Sequence, residues 1–225
     1  MTKVLVLAPH PDDEILGCGG TIARFAREGK EVYVAILTTA SKSSFLFDPV
    51  VTLKGKSDAL LSHQLLGIKE TIFCELPPAQ IDTLPHVQVN AKILSTIKKI
   101  QPEVVFIPFI SDLHLDHQHT FLSALVAMRP NDWQYPKKIY AYETLSETNW
   151  NAPYLTPGFH PNLFIDISKT LSLKLQAFAM HETQVKPFPH ERSLKTLEAL
   201  AVLRGSTVHR EAAEAFVIIR EVIDE

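Results

Sequence analysis

The chain has 225 residues, 46% of them hydrophobic and 21% charged, with a formal net charge of -3 at pH 7. That length carries one sizeable core and leaves little room for a second, so residues 1–225 are expected to form a single domain. The balance argues against a disordered or membrane-embedded chain, and with no basic run longer than the pairs Lys98-Lys99 and Lys137-Lys138 it argues against a nucleic-acid partner.

The apolar run after Met1-Thr2-Lys3 is too short for a signal peptide. No window approaches the roughly 20 apolar residues that span a bilayer. The expectation is a soluble, cytoplasmic protein with no membrane partner. Cys18 and Cys74 lack Cys-x-x-Cys spacing, which points to core residues in place of a disulfide framework or thiolate site.

Strand-like and helix-like runs alternate along the chain. Residues 3–8 read as a strand, Gly19 to Glu28 as a helix closed by Gly29, and Glu31 to Leu37 as a second strand. Thr38 to Leu53 reads as a polar loop, Ser57 to Gly67 as a helix and Thr71 to Cys74 as a third strand. After the proline-rich Pro77 to Pro85 come a helix at Val87 to Ile100, a strand at Glu103 to Pro108, a helix at His117 to Met128 and a strand at Lys138 to Tyr142. Glu143 to Asn162 reads as a long loop over the mouth of a site. Leu163 to Ile167 reads as a strand, Leu171 to Met180 and Ser193 to Leu203 as helices, and Ala215 to Val222 as a strand or a helix.

This pattern predicts an α/β, Rossmann-like three-layer sandwich, its mostly parallel sheet ordered 3-2-1-4-5 with C-terminal additions. In that order the first and fourth strands are neighbours, and their carboxyl ends flank the switch point where such sheets bind ligands.

Both of those strand ends carry chemistry. The first runs into His10-Pro11-Asp12-Asp13-Glu14, and the fourth into Ser111-Asp112-Leu113-His114-Leu115-Asp116-His117. Carboxylates this close repel one another, so a site that holds them usually contains a cation or shares protons. His10, Asp13 and His117 give two imidazoles and a carboxylate, the donor set of a catalytic zinc site with room for water. His119 is a spare candidate expected to face away, and His63, His86 and His209 read as surface or hydrogen-bonded histidines.

Asp12 is the natural general base for an attacking water. A protonated His114 would stabilise an oxyanion and protonate the leaving amine. Asp116 either holds His114 protonated or orients a ligand.

These two motifs, with Rossmann-like alternation between them, resemble the LmbE and PIG-L family of zinc-dependent de-N-acetylases. Weaker likenesses follow at Lys174 to Gln184, Arg204-Gly205 and Ala213 to Phe216. The resemblance implies a metal-dependent hydrolase that removes acetyl from an N-acetylglucosamine-type sugar or conjugate. It implies His10, Asp13 and His117 as ligands of Zn²⁺, with Fe²⁺ or Co²⁺ as alternatives, Asp12 as general base and His114 as the oxyanion or acid residue. Family members often self-associate, and the apolar Phe216 to Ile223 is the candidate stretch for burial in a homo-oligomer.

Many members carry an arginine after the second strand, where this chain has Lys54, Gly55, Lys56 and Asp58. Tyr142, Glu143, Thr144 and the loop from Ser146 to Asn149 are the candidates for sugar contacts. Three alternatives compete: a nucleotide-binding Rossmann protein, for which Gly17, Gly19 and Gly20 have the wrong spacing; a non-heme iron oxygenase using the same donor set; and a sugar-binding protein that does not react.

Overall fold

The structure, a computed structural model, describes residues 1–39, 49–130, 135–152 and 154–223, with residues 49–53 described in backbone only. Seven strands form one sheet in the order β3-β2-β1-β4-β5-β7-β6. They are β1 (Lys3–Ala8), β2 (Glu31–Thr38), β3 (Glu70–Leu76), β4 (Val104–Pro108), β5 (Lys138–Tyr142), β6 (Leu163–Asp166) and β7 (Ala213–Glu221). The first five pair in parallel, as expected, and β7 runs antiparallel between β5 and β6.

The apolar run of β1 is continuous because both of its faces are covered. Val4, Val6 and Ala8 join one core, and Leu5 and Leu7 the other. Helices α1 (Asp13–Arg27), α2 (Pro49–Leu66), α5 (Leu171–Ala179) and α6 (Leu194–Thr207) supply the first core, through residues such as Ile15, Leu66, Phe178 and Leu197. Helices α3 (His86–Ile100) and α4 (Leu115–Ala127) supply the second, through Ile93, Ile97 and Phe121.

Helix α1 begins at Asp13, well before the expected Gly19. Asp13 and Glu14 stand in its first turn, where negative side chains are favoured. The glycines do not break the helix, because they are where it lies closest to its neighbours. A Cβ on Gly17 would come within 2.2 Å of the Tyr142 ring, and one on Gly20 within 2.7 Å of Ile167.

A buried ion pair is spliced into the same helix. Lys174 Nζ donates to Leu16 O at 2.8 Å and to Glu214 Oε1 at 2.6 Å. The Glu214 carboxylate in turn accepts the N–H groups of Gly20 at 2.9 Å and Thr21 at 2.7 Å.

Other boundaries also shift. Of the expected loop from Thr38 to Leu53, Thr38 belongs to β2 and Pro49 onward to α2, while residues 40–48 lie outside the described residues. The proline-rich segment contains a 3-10 turn at Ile81–Thr83, and the loop after β5 contains another at Thr148–Trp150. Ala215 to Val222 falls largely in strand β7, inside the sheet. Phe216, proposed for a subunit contact, is instead buried in this chain's own core with its ring 4.9 Å from that of Phe106. Among the described residues no helix is long and apolar enough to cross a membrane.

Candidate metal centre and its cleft

Strands β1 and β4 are adjacent, so the segments leaving their carboxyl ends meet. Asp13 Oδ2 lies 3.2 Å from His10 Nδ1 and 3.2 Å from His117 Nε2. These three residues each offer one donor atom, all within 4.8 Å of one another. Asp13 Oδ1 and His117 Nε2 are buried and have no hydrogen-bond partner among the described residues. Buried polar atoms are costly to leave unmet, and two imidazoles with a carboxylate suit a divalent cation.

A second grouping, His10, His114 and Asp116, meets the same distance limit. Its carboxylate is already engaged: Asp116 accepts the N–H groups of Ala79 at 2.6 Å and Ile81 at 3.0 Å, and lies 3.0 Å from His10 Nε2. The geometry therefore separates the two expected roles of Asp116. Its side chain orients His10, while only its backbone N–H reaches His114, at Nδ1, 3.0 Å away.

His117 is held in the same manner. Its Nδ1 is 2.8 Å from Asp112 Oδ2, and Asp112 Oδ1 accepts the Thr148 hydroxyl at 2.6 Å. Each imidazole thus has one nitrogen fixed by a carboxylate and the other turned towards Asp13, the arrangement that sets tautomer and aim in a ligand. The sequence reading saw Asp112 within the motif but gave it no role.

Electrostatics reinforce the cluster. Burial disfavours a charged His10, but Asp116 and Asp13 outweigh it and raise its pKa to about 9. Burial is likewise overcome at His117, which Asp13 and Asp112 push well above the usual imidazole range. Asp13, buried too, is held well below the usual carboxylate range by His117 and His10.

His114 differs. Burial, and then the charge of His10, lower its pKa to about 4, and its Nδ1 is already an acceptor. The expected protonated His114 is therefore a neutral imidazole with its proton on Nε2.

Asp12 is buried, and its Oδ2 accepts from Arg192 Nη1 at 3.0 Å. Burial raises its pKa to about 8 against the opposing pull of Arg192. Arg192 also donates from Nη1 to Gln184 Oε1 at 2.9 Å and from Nε to Ser146 Oγ at 2.8 Å. Sequence reasoning missed Arg192, which sits just past Pro187, Pro189 and His190, between the helices expected at Leu171 to Met180 and Ser193 to Leu203. The nearest signal was the His181 and Gln184 segment, and both of those residues line the same cleft.

That cleft has a volume of about 250 Å³, and His10, Asp12, His114, Glu147, His181 and Arg192 are among the residues that line it. Of the proposed sugar contacts, Glu147 lines it. Tyr142 is buried and donates its hydroxyl to Leu7 O at 2.9 Å, and Glu143 is gripped by Arg204 through bonds of 2.8 and 2.7 Å. Thr144 is buried, with its N–H on Thr148 Oγ1 at 2.8 Å. These three support the fold. Gly55 borders the cleft, whereas Lys54 pairs with Glu182 at 3.0 Å and Lys56 with Glu75 at 2.6 Å. His119 turns to His86 on α3, and His63 is buried and hydrogen-bonded.

Sheet order and donor set together define a Rossmann-like protein with a candidate mononuclear metal centre at its switch point. Residues 5–128, just over half of the chain, match the PIG-L family, GlcNAc-PI de-N-acetylase, and the protein belongs to that family. It is 27% identical over 196 residues to the diacetylchitobiose deacetylase of Thermococcus kodakarensis, spanning 84% of this chain and 71% of that one. In fold it is similar to the conserved protein TT1542 from Thermus thermophilus, with a TM-score of 0.79, 24% identity and coverage of 100% and 98% of the two chains. It is also similar to the N,N'-diacetylchitobiose deacetylase of Pyrococcus horikoshii, with a TM-score of 0.77, 24% identity and coverage of 97% and 84%.

Proposed function

We propose that this protein hydrolyses the N-acetyl group of an N-acetylglucosamine-type sugar or sugar conjugate, releasing acetate and a primary amine. The observation that carries this reading is the cluster of His10, Asp13 and His117 just past the carboxyl ends of β1 and β4, in which the buried Asp13 Oδ1 and His117 Nε2 make no hydrogen bond among the described residues. His10, Asp13 and His117 would hold the cation, Zn²⁺ before Fe²⁺ or Co²⁺. A divalent ion bound there would lower the pKa of a water to about 7 and polarise the acetamide carbonyl.

Asp12 takes a proton from the attacking water at its carboxylate. The same carboxyl then passes that proton on to the departing nitrogen. Water thus supplies the hydroxyl of acetate, and its proton ends on the amine. Arg192 holds Asp12 in place. His114, neutral and bordering the cleft, offers its Nε2–H to the developing oxyanion. Asp116, accepting from His10 Nε2, would keep His10 in the tautomer whose Nδ1 is free to hold a cation.

We read residues 1–225 as one such domain, acting in the cytoplasm on small soluble substrates, and the two free cysteines fit a reducing compartment. The test is acetate and amine release by Zn²⁺-, Co²⁺- or Fe²⁺-loaded protein from N-acetylglucosamine, diacetylchitobiose and related conjugates. Activity should appear with metal and fall about 10²–10⁴-fold in Asp12→Asn. Silence of every loaded form on the whole panel would sink the reading.

A further inference from the structure

The backbone of Asp12 sits at φ 128° and ψ -24°. The other described non-glycine residues with positive φ lie between 53° and 71°, in the left-handed helical well; Asp12 alone lies outside it. Such a conformation persists only where its surroundings over-determine it.

Three contacts do so. The Asp12 carbonyl accepts the N–H groups of Ile15 at 3.0 Å and Leu16 at 2.9 Å in the first turn of α1. Its carboxylate is held by Arg192. Its own N–H donates to Glu14 Oε2 at 3.1 Å. Glu14 is fully buried, and its second oxygen lies 2.8 Å from His63 Nε2 on α2. The far nitrogen of His63 is 2.7 Å from Thr71 Oγ1 on β3.

An acid that served only the helix dipole would need neither burial nor a histidine partner. We propose that Glu14 and His63 are positioning residues, a brace from β3 through α2 that fixes the strained Asp12 backbone so that its carboxylate stays turned to the cleft. The catalytic part of this inference rests on the deacetylase reading. The geometric part does not.

The experiment compares Glu14→Ala, Glu14→Gln, His63→Gln and Thr71→Val with the parent in metal content, melting temperature, kcat and KM, and adds the crystal structure of Glu14→Ala. A displaced base costs turnover more than binding. Glu14→Ala should therefore lose about a hundredfold in kcat with KM within about threefold and metal content unchanged. Glu14→Gln keeps an acceptor for the Asp12 N–H and should recover most of that loss once the His63 ring changes tautomer. Asp12 in Glu14→Ala should relax to negative φ.

Should Glu14→Ala not fold, Thr71→Val and His63→Gln carry the test with the same split between kcat and KM. Unchanged kcat in folded variants that still bind metal would overturn the proposal, as would an Asp12 that keeps φ near 128° without Glu14. A parent silent on all N-acetyl sugars would overturn the deacetylase reading and the catalytic part together, leaving the Asp12 angle to decide the geometric part.

Discussion

Two buried polar clusters involve α1, one at its first turn and one at its middle, and they are built on opposite terms. In the Lys174 and Glu214 cluster both Glu214 oxygens are met, by Lys174 and by the N–H groups of Gly20 and Thr21. In the cluster of His10, Asp13 and His117, where His10 keeps some exposure, His117 Nε2 lies 3.2 Å from Asp13 Oδ2, but neither it nor Asp13 Oδ1 makes a hydrogen bond among the described residues. A satisfied buried pair joins elements, here α1, α5 and β7. An unsatisfied one marks a place where the fold has been made to receive something.

Breaking the second cluster should have the largest functional effect. His117→Ala should reduce bound metal to nothing and acetate release to background, with the fold retained by circular dichroism. Breaking the first should do the reverse. Lys174→Met leaves Glu214 buried and uncompensated, so denaturant melts should show a loss of about 3–5 kcal/mol, while turnover per folded molecule stays at the parent value.

A finer cut removes a support and leaves the ligand. Asp112→Ala frees His117 Nδ1 and should weaken metal binding about 10–100-fold by competition titration.

The smallest effect is one of pH. In metal-free protein the folded state raises His10 from 6.5 to about 9. It therefore holds an extra proton, and the stability this contributes is complete below pH 6.5 and lost as pH rises towards 9. The melting temperature of metal-free protein should fall across that window, and saturating Zn²⁺ should abolish the fall because the cation replaces the proton.

Much of the parallel half was legible because its signals are local. The apolar runs of β1 and β4 and the residues just after them placed His10, Asp13 and His117 at one switch point before any coordinates. Tertiary contacts decided the rest. The glycines of α1 look like helix breakers until Tyr142, Lys174 and Ile167 are seen against them. Ala213 to Glu221 gave no clear period because β7 is buried at one end and exposed at the other. Arg192 carries no sequence mark at all: it acts on a residue 180 positions away. Tyr142 and Glu143 misled for the opposite reason, since strand-end position suggests a ligand contact but says nothing of the partners that already claim the side chain.

The contact between Gly17 and Tyr142 ties two positions into one unit of variation. Any replacement at Gly17 adds a carbon within 2.2 Å of that ring, and the ring's hydroxyl is in turn anchored to the strand that delivers His10. A saturation library should therefore tolerate larger residues at position 17 only in clones that have also shrunk position 142, a signature of paired substitution that would mark this spot even in distant descendants of the chain.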